Sequence, residues 1–178
     1  MVVAVCRLRP THIFEWGTNI GKSARIFYEI CQAFDIEAEI HSIDLPANIA
    51  HVEHPKAKRG DLVRGLEKVR LHQGDGVDTS LKILSIITNA ASPFFFIDGD
   101  HTYESVRREL GAVINAVPTA NILLHDTFFQ SEASGYNVGP CQAIIDTLEE
   151  HTHSFKTLSE NSGLPGMTLL WQSEYSVK

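Results

Sequence analysis

No apolar run in this 178-residue chain approaches the roughly 20 residues that a membrane-spanning helix needs. Residues 1–6 are apolar but too few for a signal peptide, and Arg7 and Arg9 follow at once. No membrane partner is expected, and a cytoplasmic setting is. Cysteine is scarce: Cys6, Cys31 and Cys141 are widely spaced, odd in number and set among apolar residues. That excludes a disulfide frame or a zinc site built on thiolates and leaves reduced packing residues. Basic residues are also in deficit, with 15 Lys and Arg against 22 Asp and Glu and a net charge of -7. An electrostatic grip on nucleic acid is therefore not expected. Internal repeats and low-complexity linkers are absent, so residues 1–178 read as one domain. The composition, 43% hydrophobic and 21% charged, is that of a chain able to bury a core.

What is present is an alternation of strands and helices. Residues 12–16 form a short apolar run that ends in a glycine-containing turn, and Phe27, Ile30, Cys31 and Phe34 then fall at helical spacing. Residues 38–43 read as the next strand, closed by Asp44. Residues 49–60, rich in His, Lys and Pro, read as a loop before a short helix carrying Leu62, Leu66 and Val69. Residues 69–73 suit a third strand, stopped by Gly74-Asp75-Gly76, after which Asp78 or Thr79 is placed to cap a helix through Leu81, Leu84 and Ile87. Pro93-Phe-Phe-Phe-Ile97 is continuously apolar, as a strand buried on both faces would be. A helix with Val106, Leu110, Val113 and Val117 on one stripe follows, then a buried strand over residues 121–124 ending at His125-Asp126. Pro140 suits the first position of a further helix containing Ile144 and Leu148. The tail differs, because the strand-like runs 154–158 and 167–171 have only a Gly- and Pro-containing return between them. Together these elements predict a mostly parallel α/β/α sheet with an antiparallel edge.

Ligands of such sheets gather where the carboxyl ends of the strands meet the following loops. Those ends carry Glu15-Trp-Gly-Thr-Asn-Ile-Gly21, Asp44, Gly74-Asp75-Gly76, Asp98-Gly-Asp-His101 and His125-Asp126. Gly17 and Gly21 let the backbone approach a bound molecule closely, although a glycine pair alone equally suits a tight strand-to-helix turn. Asp44, 23 residues after Gly21, favours the ligand reading, because a carboxylate there can accept from both hydroxyls of a ribose.

Two other nucleotide readings fail on spacing. Gly17-Thr-Asn-Ile-Gly-Lys-Ser23 resembles a phosphate-binding P-loop, but that pattern places Trp16 where the first glycine belongs. A dinucleotide fingerprint would need glycine where Asn19 stands. A ligand without phosphate tolerates that side chain better. A P-loop-like phosphotransferase is accordingly the weaker alternative, beside a catalytically silent interaction domain.

Glu15-x-Gly-x-x-x-Gly21 followed by Asp44 resembles the cofactor loop of class I S-adenosylmethionine-dependent methyltransferases. Phe96-Ile-Asp-Gly-Asp-His-Thr-Tyr-Glu-Ser-Val-Arg107 resembles the strand-four signature of the group that includes cephalosporin-hydroxylase-like and macrocin-type O-methyltransferases, and Leu124-His-Asp-Thr127 resembles its strand-five end. The resemblance implies a Rossmann-like seven-stranded sheet of order 3-2-1-4-5-7-6. It implies S-adenosylmethionine as cofactor, with Glu15, Gly17, Thr18, Asn19 and Gly21 around the methionine part, Asp44 on the ribose, Asp75 near the adenine, and Asp98 within reach. It further implies magnesium held by Asp98 and Asp126. His125 departs from the acid that many relatives carry at this place, and imidazole suits a softer ion than magnesium. The alternative is that Asp98 meets the cofactor while Asp100 caps the next helix and His101 is merely packed.

The implied reaction is methyl transfer to a hydroxyl oxygen of a small-molecule acceptor. A hydroxyl needs its proton removed or its pKa lowered, and His101 and His125 are the candidate bases because imidazole titrates near neutrality. His41, His51, His54, His151 and His153 are expected in loops or at the surface. About ten residues precede the first strand, where related enzymes carry covering helices. The cover is therefore expected from the loops 44–60 or 129–139, or from the second subunit of a homodimer.

Overall fold

The computed structural model describes residues 1–49, 56–87, 92–129, 138–151, 155–160, 162–163 and 165–172. Seven strands form one mostly parallel sheet in the order β3-β2-β1-β4-β5-β7-β6: β1 (His12–Trp16), β2 (Glu39–Asp44), β3 (Val69–Gln73), β4 (Pro93–Ile97), β5 (Asn121–His125), β6 (Phe155–Glu160) and β7 (Met167–Gln172). The helices are α1 (Val2–Leu8), α2 (Lys22–Ala33), α3 (Gly76–Ile86), α4 (Tyr103–Ala116) and α5 (Val138–Glu150). None of the described helices is long and apolar enough to cross a membrane. The residues pack as two compact units, 1–96 and 97–178.

In the first unit β1 and β2 run parallel, with His12 opposite Glu39 and Trp16 opposite Ile43, and β3 runs parallel beside β2. The continuous apolar run in β4 reflects burial on both faces. Phe95 stacks on Phe14 at 5.3 Å, while Phe94 and Phe96 meet the edge of Phe27 from α2. Trp16 buries its indole and donates from Nε1 to Ser80 Oγ in α3 at 2.9 Å, as a buried N–H must find an acceptor.

Asp75, rather than Asp78 or Thr79, caps α3, accepting from the Asp78 N–H at 3.0 Å. The helix thus begins on Gly76, a poor helix former retained by close packing. A Cβ there would lie 2.5–2.9 Å from the Trp16 ring. Gly76→Ala should therefore lower stability by about 1–3 kcal/mol, the range for overpacking. A urea midpoint equal to that of the wild type would show that the ring moves freely aside.

Three other expectations require correction. The short helix through Leu62, Leu66 and Val69 is instead two 3-10 turns, Lys56–Lys58 and Asp61–Val63, because Gly60 and Gly65 at φ 67° and 83° interrupt the chain on either side of the second turn. Residues 1–6, read only as apolar, lie mostly in α1, which buries Ala4 and Val5 and ends at Arg9 in the left-handed region. A helix of 7 residues is not stable by itself, so packing forms it. His41 is not at the surface. It lies in β2, 5% exposed, stacked on Phe14 at 4.9 Å. His51, His54 and His153 fall outside the described residues.

In the second unit β7 is antiparallel to both β5 and β6, which confirms the returning tail. Thr102 caps α4, accepting from the Ser105 N–H, and Asp100 braces that cap by accepting from Thr102 N–H and Ser105 Oγ–H. These bonds, that from Ser105 foremost, hold the Asp100 carboxyl below its usual range. Helix α5 starts at Val138, so Pro140 is its third residue, still within the turn whose N–H groups need no intrahelical partner. Tyr103 donates to Asp146 at 2.7 Å, and Arg107 pairs with Asp146 and Glu150, joining α4 to α5.

Candidate functional site

The turn after β1 is built around positive φ angles. Gly17, Asn19 and Gly21 have φ of 97°, 45° and 89°, values that glycine adopts freely and asparagine tolerates. The Gly17 N–H extends the β1–β2 ladder to Ile43 O at 2.9 Å, and the Gly21 N–H closes the turn on Thr18 O at 2.7 Å. Beneath it, Glu15 is fully buried and accepts from the hydroxyls of Ser23 and Ser42. Thr18, 1% exposed, lies 2.8 Å from Ser42 through its own hydroxyl. A buried carboxylate has to be satisfied by such donors. Glu15 and Thr18 therefore brace β1, β2 and the start of α2, and the turn surface comes from Gly17, Asn19 and Gly21.

Asp44, at the end of β2, is aimed at the same turn. Its Oδ2 accepts from the Asn19 N–H at 3.2 Å and its Oδ1 from the Leu45 N–H at 2.8 Å. Arg59 Nε lies 3.3 Å from Oδ2, while Arg59 Nη2 donates to Leu45 O. The guanidinium, which sequence reasoning missed, came from a stretch read only as loop. Asp75 follows β3 and uses one oxygen to cap α3.

The second unit gathers Asp98 (end of β4), His101 (before α4), His125 (last residue of β5) and Asp126, with one ligand atom of each within 4.8 Å of all the others. His125 Nδ1 lies 2.9 Å from Asp98 Oδ1 and 3.4 Å from Asp126 Oδ2. His101 Nδ1 lies 2.9 Å from Asp126 Oδ2, and its Nε2 lies 3.5 Å from Asp98 Oδ1. Asp126 reaches both rings from φ 55°, in the left-handed region. Aspartate, like asparagine, tolerates that conformation as a single residue.

The electrostatics agree with the geometry. The hydrogen bond to Asp98, joined by the charges of Asp126 and Asp98, raises the His101 pKa against the pull of burial and of the His125 charge. Burial pulls His125 down, but the hydrogen bond and charge of Asp98, aided by Asp126, raise it overall. Burial pushes Asp98 up, yet hydrogen bonds from His101 and His125 bring it below its usual range. His101 is thus held by two carboxylates rather than merely packed. Two carboxylates and two imidazoles can relay a proton or hold a divalent ion.

Residues 14–127 match the family described as "Methyltransferase domain". No curated protein matches the chain. Among solved structures, the S-adenosylhomocysteine-bound methyltransferase PaMTH1 of Podospora anserina is 17% identical, with 97% of this chain and 76% of that one covered and a TM-score of 0.64. The O-methyltransferase of Bacillus cereus, in complex with S-adenosylhomocysteine, is 18% identical, with coverage of 97% and 78% and a TM-score of 0.61. CmcI in its Mg-SAM form is 17% identical, with coverage of 95% and 69% and a TM-score of 0.59. At these identities the structures share the fold, and the match over residues 14–127 carries the assignment: the chain belongs to the methyltransferase-domain family.

Proposed function

We propose that this protein is an S-adenosylmethionine-dependent methyltransferase acting on a hydroxyl oxygen of a small molecule. The observation that carries the reading is the turn of Gly17, Asn19 and Gly21 tied to Asp44, a backbone surface with a carboxylate beside it. When bound, S-adenosylmethionine supplies an electrophilic methyl group to the acceptor. Gly17, Asn19 and Gly21 would face its methionine part and Asp44 its ribose, with Asp75 toward the adenine. Glu15 and Thr18 hold the turn from beneath. Because Arg59 already lies against Asp44, a ribose has to share or displace that guanidinium.

Asp98, His101, His125 and Asp126 would receive the acceptor's proton. His101 or His125 would take it, and the carboxylates would stabilise the imidazolium that results. The same donor set fits a divalent ion. Its two imidazoles favour manganese or zinc over magnesium, and such an ion would lower the pKa of a hydroxyl bound to it.

Calorimetry with S-adenosylhomocysteine against ATP tests the cofactor assignment. Asp44→Ala should weaken the first ligand by about 1.5–3 kcal/mol, the worth of a hydrogen bond to a charged group. Equal affinity in the variant, or tighter binding of ATP, would overturn the site. Turnover on hydroxylated acceptors tests the reaction, and binding without turnover on any of them would indicate a silent binding domain.

A further inference from the structure

Three histidines of neighbouring strands form a continuous chain that crosses the sheet diagonally from the first residue of β1. His12, the first residue of β1, brings Nδ1 to 3.2 Å from His41 Nε2, and His41 Nδ1 lies 3.2 Å from His72 Nε2 in β3. Glu39, opposite His12 across the β1–β2 pair, places Oε2 at 3.9 Å from His41 Nε2. The ligand atoms of His12, Glu39 and His41 all lie within 4.8 Å of one another. We propose that His12, His41 and Glu39 form a binding site for a borderline divalent ion such as zinc, separate from the Asp98–His101–His125–Asp126 cluster.

The donor types and spacing carry the inference. Two imidazoles and one carboxylate are a normal zinc set, and they leave a fourth position for water. Ligands about 2.0–2.1 Å from a tetrahedral zinc lie about 3.3 Å from each other. The His12–His41 pair already has that separation, at 3.2 Å. Glu39 has to close by less than an ångström relative to His41, and its side chain, 44% exposed, is free to turn. That exposure also gives the ion a path from solvent.

His41 is the fixed member. Its ring is almost fully buried and packs against Phe14, at 4.9 Å, and His12, at 5.5 Å. A metal-binding histidine usually donates its second ring N–H to an acceptor that sets its tautomer. His72 Nε2 occupies that place: when it accepts from His41 Nδ1–H, the lone pair of His41 Nε2 faces the His12–Glu39 side. Glu39, with Oε2 at 3.9 Å from His41 Nε2, adds the carboxylate that completes the donor set. A bound ion would fasten the first residues of β1 and β2 together, so its effect falls on the stability of the first unit.

The test is zinc titration of chelator-treated protein against a chromophoric competitor, in wild type and in an Asp98→Asn, Asp126→Asn variant that disables the other cluster. The variant should bind one zinc per chain. His12→Ala or Glu39→Gln in that background should weaken it by at least the tenfold to about a hundredfold known for supporting residues, and His72→Ala by about tenfold. Should the combined variants not fold, Glu39→Gln in the wild type still decides, because it should weaken one zinc site by the same factor and leave any other. Within either background, His12→Ala, Glu39→Gln and His72→Ala should leave S-adenosylhomocysteine affinity unchanged. Zinc binding indifferent to His12 and Glu39, or no zinc in the variant that lacks the other cluster, overturns the proposal.

Discussion

Asp126→Asn should reduce kcat by about 10²–10⁴-fold, the usual contribution of a positioned acid–base group, while S-adenosylhomocysteine affinity stays at the wild-type level. The substitution keeps shape and hydrogen-bonding reach and removes only charge. Asparagine also tolerates the left-handed backbone that Asp126 adopts at φ 55°, so loss of fold does not confound the result. What disappears is the carboxylate 2.9 Å from His101 Nδ1 and 3.4 Å from His125 Nδ1. Both rings owe part of their raised pKa to that charge, so they become weaker bases in the variant. The pH dependence of kcat should shift accordingly, with its acid limb moving to lower pH. If the cluster instead holds an ion during turnover, the same variant should lose metal affinity, and added manganese or zinc should restore part of the rate. A kcat unaltered across the pH range would remove Asp126 from the chemistry and leave the cofactor turn untouched.

The sheet was legible because its strands obey simple burial rules. The residues 93–97 can be continuously apolar only if both faces are covered, and Phe94, Phe95 and Phe96 are indeed all buried. The returning tail was legible because two strand-like runs lacked a helix between them, and β6 and β7 pair antiparallel. Misreadings arose where tertiary contacts override local pattern. Asp75 rather than Asp78 caps α3, because the Trp16 ring, distant in sequence, demands Gly76 inside the first turn. Helix α1 exists through packing that its 7 residues do not announce.

The candidate site divides along the same line. Glycines and acids at strand ends mark themselves, because loops after parallel strands are where ligands gather. Which carboxylate faces outward does not mark itself. Glu15 and Asp44 look alike in sequence, yet Glu15 is consumed by Ser23 and Ser42 within the protein while Asp44 stands at the turn surface. Arg59 was invisible for a related reason, since it stands 15 positions after the Asp44 it meets, in a stretch whose composition marks only a loop. His41 shows the converse error. A polar residue in a strand reads as outward-facing until Phe14, His12 and His72 are seen around it.

Acidification should expose that buried histidine directly. Burial, with His72, His12 and Arg70 adding to it, pushes the His41 pKa down to about 4 from 6.5. Between those values the unfolded chain binds a proton that the folded chain refuses, so falling pH favours unfolding. The stability is fully present above pH 6.5 and lost progressively down to about 4, by about 3 kcal/mol in all. Burial also lowers His12 and His72, which adds in the same direction, whereas Glu39 opposes it at His12. His101 and His125 act oppositely: their raised values contribute stability at low pH that is lost as pH rises through them. A comparison within one variant pair separates these effects. His41→Phe keeps a ring against Phe14 and leaves the half-exposed His12 and His72 to water. In urea unfolding with a chelator present, the wild type should lose about 2–3 kcal/mol more than His41→Phe between pH 7.5 and pH 4.5. The variant starts lower at pH 7.5, because two hydrogen bonds are gone, and its stability falls less steeply with acid. Equal slopes for the two proteins would mean that His41 takes up its proton without strain in the folded state.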